Sequence, residues 1–286
     1  MSFHKYPTTF VSKLSLKVLD LDRSLAFYQE IIGLHILERS EKRVILTADG
    51  KTALLKIEQP DDVIPKQPRT TGLYHFALLL PSRSDLGSVL KHLLKVKYPL
   101  QGGSDHLVSE ALYLADPDGN GIEIYVDRSP SHWNWKNGEV EMSTDPIDVE
   151  GLLASGSDEW SKLPEGTVMG HIHLHVSELE KTKDFYCKGL GFEVVCNYGN
   201  QALFISTGRY HHHIGLNVWN GVGAPQPSEK SVGLVDYTIV YPSEIERDHV
   251  TQKLQQLDFD VTRDDKVIIT ADPSGNKIRL TVNGSY

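Results

Sequence analysis

Two stretches of the chain concentrate imidazole. One is HIHLH, in which His171, His173 and His175 recur at every second position; the other is YHHH, ending in His211, His212 and His213. With 13 histidines in 286 residues, the chain is rich in groups that titrate near neutrality and can move protons or bind a metal. If HIHLH is a strand, its three imidazoles share one face, and spacing alone does not choose among them. A third signal is an exchange of acid for base. The turn ADPDGN (115–120) is followed, three residues after its Asn, by Glu123, whereas ADPSGN (271–276) is followed at the same distance by Arg279. A carboxylate can ligate a divalent cation; a guanidinium offers no lone pair. Because a lone histidine in a strand is more often a packed core residue than a ligand, the elements around these residues must supply the context.

Those elements repeat. LSLKVLDLDRSLAFYQEIIGL (14–34) aligns without a gap over IHLHVSELEKTKDFYCKGLGF (172–192) at an offset of 158, matching Leu16/Leu174, Val18/Val176, Phe27/Phe185, Tyr28/Tyr186 and Gly33/Gly191. Each copy starts with strand alternation, turns at an acidic pair, and continues with helical spacing up to a Gly. GLYHFALLLPS (72–82) lies over GLVDYTIVYPS (233–243) at offset 161. Each leads into a helical segment, LGSVLKHLLK or RDHVTQKLQQL, and then into a strand, an Asp-Pro-x-Gly-Asn hairpin turn and a strand. Four units result, at about 13–60, 72–128, 170–220 and 233–283. Between the second and third, residues 129–166 lack a sustained period and read as a structured linker. Trp133 and Trp135 there are either anchors of a wrap-around arm or packed residues of an ordinary surface loop.

Composition narrows the class. Forty per cent hydrophobic and 23% charged residues suit a globular protein with a buried core. A formal charge of −9 argues against a nucleic-acid partner, whose binding needs clustered Lys and Arg. No apolar run approaches the roughly 18 residues of a membrane span, the first ten residues hold no apolar leader, and Cys187 and Cys196 do not suggest a disulfide framework. The expectation is a cytoplasmic protein with no membrane partner.

With these residues in view, the chain resembles the vicinal oxygen chelate superfamily, an α+β fold of paired βαβββ modules curled into cupped, barrel-like mixed sheets. GGSDHLVSEALYLADPDGNGIEIYVDR and SHWNWKNG within it look like the bacterial catechol 2,3-dioxygenases built from four modules. The resemblance implies that a pair of modules holds one divalent metal. Its ligands are a first-strand His of one module and a first-strand His and last-strand Glu of the other. Carried onto this chain, the first-strand position is Lys13 in unit one and His171 in unit three. The partner's His position is His75 in unit two and Asp236 in unit four, and the terminal position is Glu123 or Arg279. Pairing consecutive units would spoil both sites. Pairing unit two with three and one with four gives His75, Glu123 and His171, a facial triad suited to non-haem Fe(II). The other pair then holds Lys13, Asp236 and Arg279 and no metal.

The resemblance further implies an acid–base His two residues before an apolar-small-apolar stretch. His212 before Ile214-Gly215-Leu216 fits, and strand alternation would turn His211 and His213 to the opposite face. A substrate-binding Tyr is implied ten residues before the terminal Glu, at Tyr113; the equivalent in unit four is Ile269. His106 could donate to substrate or oxygen, although it departs by two residues from the biphenyl-type relatives. The implied activity is Fe(II)-dependent extradiol cleavage of catechol or a substituted catechol with O2, and Mn(II) suits the same ligands. Glyoxalase-type isomerases, thiol transferases and metal-free drug-sequestering proteins share the superfamily and form the alternatives. The particular catechol and any homo-oligomeric state are left open.

Overall fold

In the computed structural model, which describes residues 3–282, the chain forms two large mixed sheets. Residues 1, 2 and 283–286 lie outside the described residues, and the last position of the expected fourth unit, 283, falls among them. The first module contains β1 (Phe10–Lys17), α1 (Leu21–Ala26), β2 (His35–Arg39), β3 (Arg43–Thr47) and β4 (Leu55–Glu58). Asp20 caps α1 by accepting the Arg23 N–H at 2.9 Å. The helix continues as a π-helical segment, Phe27–Ile32, and stops at Gly33 in the left-handed region, φ +88°. A side chain there would be strained, and its Cβ would lie 2.8 Å from the Leu163 backbone N.

The second module contains β5 (Gly72–Leu79), α2 (Arg83–Lys95), β6 (Gly102–Asp105), β7 (Ser109–Ala115) and β8 (Gly121–Asp127). The connector follows with β9 (Trp135–Lys136), β10 (Glu139–Val140), β11 (Asp145–Pro146) and α3 (Val149–Ser155). The third module has β12 (Val168–His175), α4 (Leu179–Lys183) with its π-helical extension Asp184–Gly189, β13 (Glu193–Tyr198), β14 (Ala202–Ser206) and β15 (Ile214–Asn217). The fourth has β16 (Gly233–Tyr241), α5 (Glu244–Gln256), β17 (Val261–Asp264), β18 (Val267–Ala271) and β19 (Lys277–Val282).

One sheet of eight strands runs β17-β18-β19-β16-β1-β4-β3-β2, and one of nine runs β11-β6-β7-β8-β5-β12-β15-β14-β13. The seams are the antiparallel ladders of β1 with β16 and of β5 with β12, each with bulges. Strands of the second and third modules therefore share one sheet, and strands of the first and fourth share the other.

Consecutive modules are tied in a different way. Asp116, in the first ADP turn, accepts the N–H groups of Asp118 and Asn120 and, at 2.9 Å, the hydroxyl of Tyr28. Asp272 repeats this with Ser274, Asn276 and Tyr186, the last at 3.1 Å. The repeated Tyr and the repeated Asp are thus two halves of one buried contact. Burial raises the Asp116 carboxyl above its ordinary range, against the hydrogen bonds it accepts.

The connector is held at both ends. Trp133 is buried against Phe3 and Tyr210 and donates its indole N–H to the Val108 carbonyl at 3.2 Å. Trp135 is half-buried beneath the Arg209 guanidinium, 4.5 Å from the ring centroid. β11 adds to the edge of the nine-stranded sheet through β6.

Candidate active site

The central strands of the nine-stranded sheet are β8, β5 and β12, and each presents one donor to a common point. β5 pairs in parallel with β8, setting Ala77 opposite Glu123, and antiparallel with β12, setting His75 opposite His173. A bulge between Met169 and His171 re-aims the start of β12. His75, Glu123 and His171 are all buried, and their donor atoms lie within 4.8 Å of one another. Glu123 Oε2 is 3.0 Å from His75 Nε2 and 3.1 Å from His171 Nε2; the two imidazole nitrogens are 3.4 Å apart. Ligands about 2.1 Å from a shared ion and at right angles to one another stand about 3 Å apart, so the donor set fits a small divalent metal. Among the described residues this cluster holds three donors and no fourth.

The electrostatics suit ligation. Burial pushes His171 down to about 4, which keeps it neutral with a lone pair available. Burial opposes ionisation of Glu123, but charge and hydrogen bonding from His171 and His75 hold its carboxyl well below the usual range. A buried carboxylate beside two imidazoles is costly unless paired, and a cation would satisfy all three.

His75 and Glu123 of the triad line a cavity of about 400 Å³ whose walls also include Tyr74, Tyr113, Met142, Phe204, His212 and Trp219. Tyr113 and His106 meet on one wall, the phenol oxygen 2.6 Å from His106 Nε2. His106 Nδ1 lies 2.6 Å from the Ser143 carbonyl, so Nδ1 carries the hydrogen and a neutral ring accepts from Tyr113 at Nε2. Burial and the nearby Glu123 carboxylate raise the phenol of Tyr113 well above its ordinary range. The connector thus supplies both a wall residue, Met142, and the carbonyl that orients His106, a role without any local motif.

His212 also lines the cavity, its ring centroid 4.1 Å from that of His171. Residues 211–213 precede β15, which starts only at Ile214, yet of the three only His212 lines the cavity, and His211 and His213 both pack on Tyr210. His211 and His212 touch, Nδ1 to Nδ1 at 2.8 Å, while His213 is turned into the core with Ser206 Oγ at 3.0 Å and the Phe3 carbonyl at 3.1 Å. Of the HIHLH set, His173 lies flat against Gly215, where a Cβ would come within 2.8 Å of its ring, and His175 Nδ1 binds Asn217 Oδ1 at 2.7 Å. Sequence reading missed Asp127, which lies 2.8 Å from His211 Nε2. The available signal was its place on β8, at even spacing from Glu123 and so on the same face.

In the eight-stranded sheet the equivalent positions hold Lys13, Asp236 and Arg279. Arg279 Nε donates to Asp236 Oδ2 at 2.8 Å, and Ser15 donates to Asp236 Oδ1 at 2.8 Å. Burial lowers Lys13 from its ordinary value, against the pull of Asp236. Two cations and one acid leave no donor set for a metal there.

Comparison with known proteins agrees with this arrangement. Residues 11–124 and 168–280 match the Glyoxalase/Bleomycin resistance protein/Dioxygenase superfamily. The catechol-2,3-dioxygenase of Bacillus subtilis (strain 168) is 45% identical over 282 residues, covering 97% of this chain and 96% of that one. Crystalline glyoxalase I from Zea mays has the same fold, with a TM-score of 0.61 at 16% identity, covering 98% of this chain and 94% of that chain. The chain belongs to the Glyoxalase/Bleomycin resistance protein/Dioxygenase superfamily, and its second and third modules carry a buried His/Glu/His metal-ligand triad.

Proposed function

We propose that this chain is an extradiol ring-cleaving dioxygenase that opens catechol or a substituted catechol beside its hydroxyls. His75, Glu123 and His171 would hold Fe(II), and the eight-stranded cup is scaffold. The observation that carries this reading is a three-donor site whose His75 and Glu123 line a cavity shared with Tyr113, His106 and His212. Support comes from the 45% identity to a catechol-2,3-dioxygenase over nearly the whole chain. When bound, Fe(II) supplies adjacent open positions and an electron path between an aromatic diol and O2. Mn(II) suits the same donors.

The residues of the chain divide the remaining work. One carboxylate leaves a dication with one net positive charge, which favours the diol as a monoanion, so one proton must leave. His212 is the group for that proton and for its later return, since imidazole exchanges protons near neutrality. The Tyr113 hydroxyl, held by His106, orients the diol oxygen. Phe204 and Trp219 wall the ring and exclude water. Both atoms of O2 enter the product as the carbon–carbon bond next to the diol breaks, and no external reductant is needed. A cytoplasmic location fits this activity; no described helix is long and apolar enough to cross a membrane.

The test is O2 uptake with catechol and added Fe(II), compared for the wild type and Glu123→Ala. The wild type should consume O2 in step with a ring-fission product, and the variant should not. Equal uptake by both, or none by the wild type, would refute the assignment; product without O2 uptake would identify an isomerase.

A further inference from the structure

We propose that Asp127 and His211 are positioning residues that set the tautomer of His212, with the bare lone pair of His212 at Nε2. The inference rests on the reading above, in which His212 carries the substrate proton. It starts from a chain of contacts running inward from the end of β8. Asp127 Oδ1 accepts from the Tyr210 hydroxyl at 3.1 Å and stands 2.8 Å from His211 Nε2. Tyr125 and Tyr210 share a further hydrogen bond of 2.6 Å. His211 Nδ1 is 2.8 Å from His212 Nδ1, and His212 lines the cavity beside the triad.

The order of hydrogens follows from the acceptor-only end. A carboxylate accepts and does not donate, so His211 Nε2 bears the hydrogen. A neutral imidazole then has a lone pair at Nδ1, and the 2.8 Å contact between nitrogens needs one hydrogen, which must come from His212 Nδ1. His212 is left with an unprotonated Nε2, the form able to take a proton. The logic is that of a buried acid holding a catalytic imidazole in one tautomer, extended here by a second imidazole. A second proton on His211 would reverse the order and put a hydrogen on His212 Nε2, an outcome the experiment reads directly.

His211 is well fixed for this task. It is fully buried, and its ring packs on Tyr210 at 4.1 Å and on Trp133 at 5.2 Å between centroids. Trp133 belongs to the connector, so the connector braces two cavity residues: His106 through Ser143, and His212 through His211. His213 cannot substitute, because its two ring nitrogens are engaged by Ser206 and the Phe3 carbonyl.

Two measurements test the proposal. Nitrogen-15 NMR of the full-length wild type, loaded with diamagnetic Zn(II), should show His212 with hydrogen on Nδ1 and none on Nε2; the opposite tautomer overturns it. In steady-state kinetics with catechol and Fe(II), His211→Phe keeps the aromatic packing but removes the acceptor. It should lower kcat at least tenfold while KM changes less than threefold, and His211→Asn, whose Oδ1 replaces Nδ1 as acceptor, should recover much of the loss. An unchanged kcat in His211→Phe, or no recovery in His211→Asn, overturns the proposal. Should His211→Phe not fold, the wild-type tautomer decides. If the wild type cleaves no catechol, the proposed activity fails, while the NMR result still decides the order of hydrogens.

Discussion

Replacing Glu123 by Gln should separate ligation from folding, because only ligation makes stability depend on added metal. Glu123 is 3% exposed and its partners are two imidazoles at 3.0 and 3.1 Å. In metal-free protein the two imidazoles hold the carboxylate ionised against its desolvation; Gln removes both that pairing and the desolvation cost while keeping an oxygen of the same reach. The two changes oppose each other, so the metal-free variant should lie within about 1 kcal/mol of the wild type. Metal separates the two proteins. At a free metal concentration 100 times Kd, binding stabilises the wild type by about 2.7 kcal/mol. If the loss of one charged ligand weakens binding about 100-fold, the variant sits at its own Kd and gains only about 0.4 kcal/mol. For a chain of this size about 1 kcal/mol moves the midpoint by roughly 2 °C, so the shift should fall from about 5 °C to under about 1 °C. Differential scanning calorimetry under anaerobic conditions, with Fe(II) or Mn(II) titrated in, measures both quantities. A variant that keeps the full metal-induced shift would refute ligation by Glu123. A metal-free variant destabilised by more than about 1 kcal/mol, the size of a typical structural hydrogen bond, would refute the balance of pairing against desolvation.

The eight-stranded cup gives a contrasting expectation. Asp236→Ala leaves Arg279 and Lys13 without the acid between them, and should lower stability by about 1–3 kcal/mol in denaturant titrations while kcat and the metal shift stay unchanged; a lost metal shift would place the metal in that cup. A third expectation concerns acid. Burial holds the fully buried His213 well below its ordinary value, so the unfolded chain binds its proton first. The contribution of this neutral imidazole is intact above about pH 6.5 and is lost as pH falls below that. Relative to the wild type, His213→Phe should lose stability less steeply below pH 6.5, by up to about 1.4 kcal/mol per pH unit. Equal slopes in urea titrations between pH 7 and 5 would refute it.

Much of the site was legible before any fold was known, because chemistry-bearing residues stand at matching places in a repeat. Glu123 against Arg279, and His171 against Lys13, differ in the one property a metal requires, a lone pair, and that difference is readable in one dimension. The mixed α+β class was legible for a related reason: alternation, helix spacing and DPxGN turns are local patterns. Local patterns did not reach contacts made across the fold. At residues 211–213 the sequence singled out His212, but only packing joins it through His211 to Asp127.

By itself, then, the sequence determined the repeated strand–helix–strand plan and the donor available at each equivalent position. Only the tertiary structure decided which donors meet. The bulged ladder of β5 on β12 brings His75 within 3.4 Å of His171, across 96 residues of chain. The connector turns back to supply the Ser143 carbonyl to His106, although nothing in its sequence marks it for that role. The physical reason is common to all of these cases. Ligand sets and oriented imidazoles depend on distances of about 3 Å between residues far apart in sequence, and such distances are set by strand register and packing rather than by local propensity.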